Sequence, residues 1–192
     1  MIQGIQGYNN TKGANLGEEK PKLAPGNYLC KILAVKIMQN KKGEPMFVLQ
    51  FDIADGEFAG HYINLFNNAQ KQDANAKYKG LYYQNMTGNG LQFYKGLLES
   101  LEKSNNIKLD GENGFDENIL KGKLFIGRFG EEEYEKQDGT IGSFVKLRYI
   151  TDTTKKEKDL PILNKKTITP KNTNNETFYS IEQGVDDDSL PF

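Results

Sequence analysis

The sequence predicts a mainly β protein: a five-stranded barrel of the OB type, with one helix between strands three and four and a flexible C-terminal tail. Two observations point there. Apolar residues alternate with period two in short runs bounded by Gly, Pro and Asn, and a single stretch switches to helical spacing. The resulting order is three strands, a helix and two strands, which suits that barrel. An open α+β sheet with one helix is the other arrangement this order allows.

Residues 1–24 are rich in Asn, Gly, Glu and Lys without periodicity and read as a loosely held arm. Pro25-Gly26-Asn27 punctuates the start of the domain, taken as residues 25–154. Tyr28, Cys30 and Ile32 alternate as a strand, and the phase blurs at Leu33, Ala34 and Val35, which suggests a bulge. A turn at 39–44 leads to a second strand, where Phe47, Leu49, Phe51 and Ile53 alternate with Val48, Gln50 and Asp52. His61 to Phe66 reads as the third strand, with Ile63 and Leu65 on one face and Tyr62, Asn64 and Phe66 on the other. Residues 67–90 read as a long polar connection. Leu91, Tyr94, Leu97, Leu98 and Leu101 then mark an amphipathic helix from about Leu91 to Lys103, with Asn89 or Thr87 as cap. Leu124 to Tyr134 and Ser143 to Thr151 form a last hairpin around Gln137-Asp138-Gly139.

After Thr154 the apolar pattern stops, and a segment so polar cannot offset its ordering entropy by burial. The net charge of −1 conceals a segregation. Residues 1–154 are neutral overall, residues 155–175 hold six lysines against two acids, and residues 176–192 hold five acids and no base. The chain therefore divides into a body, a basic spacer over 155–185 and an acidic tip over 186–192.

Several function classes are excluded by composition. One cysteine, Cys30, rules out a disulfide framework and a cysteine-ligated zinc site. One histidine, His61, leaves no partner for triad or imidazole-metal chemistry and reads as a strand-surface residue. Thr87-Gly88-Asn89-Gly90 lacks the lysine of a phosphate-binding loop, and Asp110-Gly111-Glu112-Asn113-Gly114 misses the register of a calcium loop. No metal, no cofactor and no enzymatic activity are expected. No apolar run reaches membrane-spanning length and no signal peptide opens the chain, so a cytoplasmic location is expected.

The last seven residues, Asp186-Asp187-Asp188-Ser189-Leu190-Pro191-Phe192, resemble the acidic tip of bacterial and phage single-stranded DNA-binding proteins. The body resembles phage-type OB proteins of that class at Pro25-Gly26-Asn27-Tyr28, Lys42-Gly43-Glu44-Pro45-Met46 and Gly56-Glu57-Phe58-Ala59-Gly60. Ser189-Leu190 departs slightly from bacterial tips, which commonly run from acid straight into an aliphatic residue and proline. The resemblance implies single-stranded DNA as ligand, replication, recombination or repair proteins as partners, and the cytoplasm of a bacterial host if the chain is phage-encoded. Tip chemistry agrees with the partner class. Phe192 offers an aromatic anchor and a terminal carboxylate, with Leu190 and Pro191 beside it, while Asp186, Asp187 and Asp188 attract a basic surface.

Strand binding without sequence preference needs stacking faces and a cationic track. Strand period exposes Val48, Gln50, Tyr62, Asn64 and Phe66, and the following connection interleaves Lys71, Lys77, Tyr78, Lys79, Tyr82 and Tyr83. Arg128, Lys146 and Arg148 extend the track onto the last hairpin; Phe129 reads as core. Against tight binding stand the neutral body and the acidic block Glu131-Glu132-Glu133-Tyr134-Glu135. Two alternatives stay open: a protein-interaction adaptor that never touches nucleic acid, and a strand-annealing recombination protein. No heptad or interface stripe fixes the oligomeric state, so a homo-oligomer stays open as well.

Overall fold

The computed structural model describes Gly4 and residues 6–10 and 22–168. The sequence folds as a mixed α/β unit: β1 (Gly26–Gln39), β2 (Pro45–Ile53), α1 (His61–Gln70), β3 (Leu81–Asn85), α2 (Gly90–Asn105), β4 (Leu124–Glu135) and β5 (Ile141–Thr151). All five strands join one sheet in the order β3-β2-β1-β4-β5, with every neighbouring pair antiparallel. β1 is long enough to serve both halves. Its start, Gly26–Lys31, pairs with β4, and Cys30 through Gln39 pair with β2. The register shifts between Ile32 and Ala34, at the blurred stretch of the sequence, and a bulge there bends the strand across the two halves.

The sheet is not closed into the expected barrel. β3 and β5 are the two outer strands, and α2 lies against β3, β4 and β5 on the core side. With only five residues, β3 is too short to supply a full second ladder, and the helix covers the gap instead.

A second expectation is also corrected. His61–Phe66, read as the third strand, is the first part of α1, and the true β3 lies inside the stretch read as a polar connection. Six residues of alternating character fit either element, because Tyr62 and Phe66 are also one helical turn apart. A tertiary contact decides between them. The buried Asp52 carboxylate accepts from the backbone N–H groups of Tyr62 (2.9 Å) and Ile63 (3.0 Å), satisfying donors that a helix start leaves open. The other helix matches its expectation: Tyr94, Leu97, Leu98 and Leu101 are buried, Asn89 stands at the N-cap position without a side-chain bond, and Asn106 ends the helix in the left-handed region.

The core lies between the concave side of the sheet and the two helices. Phe47, Phe51, Phe125 and Phe129 are almost fully buried, with Cys30, Ile32, Leu49, Leu101 and Leu120 around them. Burying each such side chain contributes about 1.5–3 kcal/mol. Phe51 is the hub, 5.2 Å from Tyr62, 5.9 Å from Phe125 and 6.0 Å from Phe129 by ring centroid, all at steep angles. Among the described residues no helix is long and apolar enough to cross a membrane.

Residues 155–168, the start of the expected spacer, lie along the sheet. Asn27 Nδ2 donates to the carbonyls of Glu157 (3.0 Å) and Leu160 (2.8 Å). Lys166 then bonds backbone to backbone with Glu131 and Glu133, at 2.9 Å each, as a short parallel bridge on β4 beyond the end of β1. Backbone hydrogen bonds to an unpaired strand edge hold this polar segment where apolar burial could not.

Candidate nucleic-acid interface

Strand alternation sets which side chains face away from the core. On β2 the inward set is Phe47, Leu49, Phe51 and Ile53, so Val48 and Gln50 stand on the opposite face, but neither shows the exposure there that strand period predicts. Val48 is fully buried there, flanked in register by Lys36 of β1 and Tyr83 of β3, and Gln50 is half-buried between Ala34 and Leu81. Tyr82, one residue on, turns inward and packs against the core.

The other aromatic platforms expected from the sequence are internal. Tyr62 is buried on α1 rather than displayed on a strand, and burial pushes its phenol well above the ordinary range. Tyr78 is buried too, its hydroxyl donating to the Phe51 carbonyl at 2.9 Å. Phe66 packs edge-on against Tyr78, with ring centroids 5.7 Å apart. Asn64, Lys71 and Lys79 are exposed and Lys77 is half-buried. The set does not form one stacking face.

A different surface does. On the outward face of the β4–β5 hairpin, Tyr134 and Phe144 meet edge-to-face with centroids 5.7 Å apart, and each remains more than 40% exposed (43% and 42%). Lys146 Nζ lies 5.6 Å from the Phe144 centroid and 2.8 Å from Glu132 Oε2. Arg148 Nε is 3.6 Å from Glu132 Oε1, and its guanidinium carbon lies 5.7 Å from the centre of the Tyr149 ring. Two aromatics, a lysine, an arginine and a third aromatic thus follow one another along the hairpin.

Two glycines lay these side chains flat. A β-carbon on Gly142 would sit 2.7 Å from the Tyr134 ring, and one on Gly130 would sit 2.5 Å from Arg148 Cδ. Gly142 pairs with Tyr134, and Gly130 with Lys146 beside the register shift, so ring and guanidinium lie across bare backbone. The acidic block beside them is largely compensated within the chain. Lys165 Nζ reaches Glu133 Oε1 at 2.9 Å and Glu131 Oε1 at 3.2 Å. Glu131 is held below the ordinary carboxylate range by a hydrogen bond from Ser143 and then by Lys165, and Glu133 chiefly by Lys165.

Of the three cations expected on this hairpin, Lys146 and Arg148 belong to the strip. Arg128 is turned to residues 155–168, with its Nη2 donating to the Pro161 carbonyl at 3.0 Å, and Arg148 Nη1 also reaches the Asn164 carbonyl at 2.9 Å. Tyr134 and Phe144 escaped the sequence reading, although a signal existed. Counting outward from the Gln137-Asp138-Gly139 turn puts both on one face, with a glycine opposite one of them. The tip residues Asp186, Asp187, Asp188, Leu190, Pro191 and Phe192 lie outside the described residues.

No curated protein matches the chain. A family model described as a protein of unknown function, DUF669, matches residues 9–118, which takes in β1 through α2 and ends before β4. That match spans more than half of the sequence, and the chain belongs to the DUF669 family.

Proposed function

We propose that this chain is a non-enzymatic single-stranded DNA-binding protein. It coats strands with little sequence preference during phage-type replication or recombination, and recruits replication proteins through the acidic tip at 186–192. The observation that carries the reading is the aromatic and cationic strip on β4 and β5, where Tyr134 and Phe144 offer ring faces beside Lys146. Stacking on such rings is worth about 1–3 kcal/mol per base and accepts any base. The finer fold reading, an OB-type barrel, is supported by the helix between the third and fourth strands and by the bent β1 shared between two half-sheets. OB barrels are partly open and bind strands on their second and third strands and on the loop between the fourth and fifth.

Lys146 enters the strip already paired with Glu132, so phosphate contacts exchange one partner for another. Few counterions are then released, and the salt dependence is shallow. Titration with oligo-dT tests the reading through tyrosine emission, since the chain has ten tyrosines and no tryptophan. Quenching by single strands, with about tenfold weaker binding in the Tyr134→Ala/Phe144→Ala double variant, is the expected result. Equal affinity of variant and wild type removes the hairpin from the interface.

One observation favours a second reading, the protein-interaction adaptor. Arg128, Lys146 and Arg148 all have partners inside the chain, and an exposed Tyr134, Ile141 and Phe144 suit a protein surface as well. Absence of any oligonucleotide binding at low salt, with protein captured from nuclease-treated host extract by this hairpin, would select it.

A further inference from the structure

Where α2 spans the open seam of the sheet, a cavity of about 240 Å³ lies between α2, β3 and β5. Its aromatic walls are Tyr82 of β3, Phe93 of α2 and Tyr149 of β5, with Gln92, Gly96 and Leu97 of the helix and Ile150 of β5 completing it. We infer that this cavity is a nucleobase pocket, which takes one unstacked base of a bound single strand between the Tyr149 and Phe93 rings while the backbone passes the Arg148 side of the seam. The inference rests on the strand-binding reading above and adds a defined subsite to it.

Four features of the cavity agree on that occupant. Its size suits one planar ring system, just under the roughly 300–1,000 Å³ of sites for drug-sized ligands. Tyr149 and Phe93 line it and stand 47% and 53% exposed, so aromatic surface meets solvent on both flanks. Tyr82 is fixed behind them. Its hydroxyl donates to Gln84 Oε1 at 3.3 Å, and Gln84 Nε2 donates to the carbonyls of Asn85 and Gly90 at 3.1 Å each. A wall held this way loses little freedom when a base enters. Arg148 stands beside the mouth without lining it, 5.7 Å from the Tyr149 ring and held by Glu132 and the Asn164 carbonyl. A phosphate passing there would replace those partners, whereas an apolar peptide side chain offers it no replacement.

Gly96 supplies the fifth and most specific argument. It sits mid-helix, where glycine is less favourable than alanine. Neither backbone geometry nor packing asks for it: its φ is not positive, and a β-carbon there would meet nothing within 4 Å. What the missing side chain leaves is the open side of the cavity.

That absence makes the test clean. Gly96→Leu fills the cavity mouth from a position with free space, whereas Gly96→Ala favours the helix equally and leaves most of the room. Oligo-dT affinity of the full chain is compared for wild type and both variants, with thermal melting confirming the fold. The pocket predicts about tenfold weaker binding for Gly96→Leu and wild-type binding for Gly96→Ala. Unchanged affinity in Gly96→Leu overturns it, and so does equal loss in both variants, which would trace the effect to helix stability. Should Gly96→Leu fail to fold, Phe93→Ala removes an exposed wall instead; about fivefold weaker binding is expected, and no loss overturns the pocket. Failure of the broader reading is separate, because it shows in wild type as no strand binding at all.

Discussion

Asp52 carries two structural duties from one buried side chain. Its Oδ1 accepts from the amides of Ile53 (2.8 Å) and Tyr62, and its Oδ2 from Ile63, so the end of β2 and the start of α1 are tied together. Hydrogen bonds to a charged acceptor are worth about 1.5–3 kcal/mol, and removing the acceptor strands three amides. Asp52→Ala is therefore expected to lower stability by about 2–3 kcal/mol, read as a reduced urea midpoint; an unchanged midpoint would mean that α1 holds itself. Cys30 gives a second expectation at this scale. Burial first, then the nearby Asp52 charge, pushes its thiol far above the ordinary range. Since the thiolate is the reactive form, a thiol reagent at pH 8 should label Cys30 only after the chain is unfolded in urea. Prompt labelling of the folded protein would contradict the packing around it.

At the scale of elements, the segment 155–168 is secured to β4 by Lys165 as well as by backbone bonds. Glu131 and Glu133 are both depressed in the folded state, so their contribution is complete above the ordinary carboxylate pKa and disappears as pH falls through the lower folded values. Hydrogen exchange at the amides of Glu133 and Lys166, corrected for intrinsic rates, should lose protection below about pH 4 while the core amides keep theirs. Lys165→Ala should produce the same local loss at neutral pH. The elements also show where sequence alone falls short. α2 was legible because five apolar residues, Leu91, Tyr94, Leu97, Leu98 and Leu101, recur over about three turns, whereas His61–Phe66 offers too few residues to separate period two from 3.6. The deciding partner, Asp52, is distant in pattern and close only in space. β3 was hidden for a related reason: Leu81–Asn85 is a five-residue strand in which every residue is half-buried, so no alternation appears.

At the scale of the whole molecule, the described residues form a five-stranded antiparallel sheet whose open seam is filled by a helix, and the surface chemistry follows from that architecture. Four of the five strands, the helix before the last hairpin and the bulge in β1 could be read from the sequence, because each leaves a local signature. The expected count of five agrees only because a helix read as a strand stands in for the missed β3. Openness of the sheet could not, since closure depends on the relative lengths and angles of β3 and β5. The residues expected at an interface divide the same way. Alternation gives the face of Val48 and Gln50 but not their burial, and hairpin position places Lys146 and Arg148 on one strip. The burial of Tyr62 and Tyr78 could not be read, because spacing in a short stretch reveals nothing about what packs over a ring. The apparent obstacle of Glu131, Glu132 and Glu133 is a network in three dimensions, matched by Lys146, Arg148 and Lys165.

The central claim, that this chain binds single strands through stacking more than through charge, is tested most directly by anisotropy of a labelled oligo-dT at about 50 and 200 mM salt, with a duplex of equal length as control. Clear preference for the single strand is expected, with less than about a tenfold loss of affinity between the two salt concentrations, the behaviour of an interface with few phosphate contacts. Equal binding of duplex and single strand, or no binding at the lower salt, would contradict it.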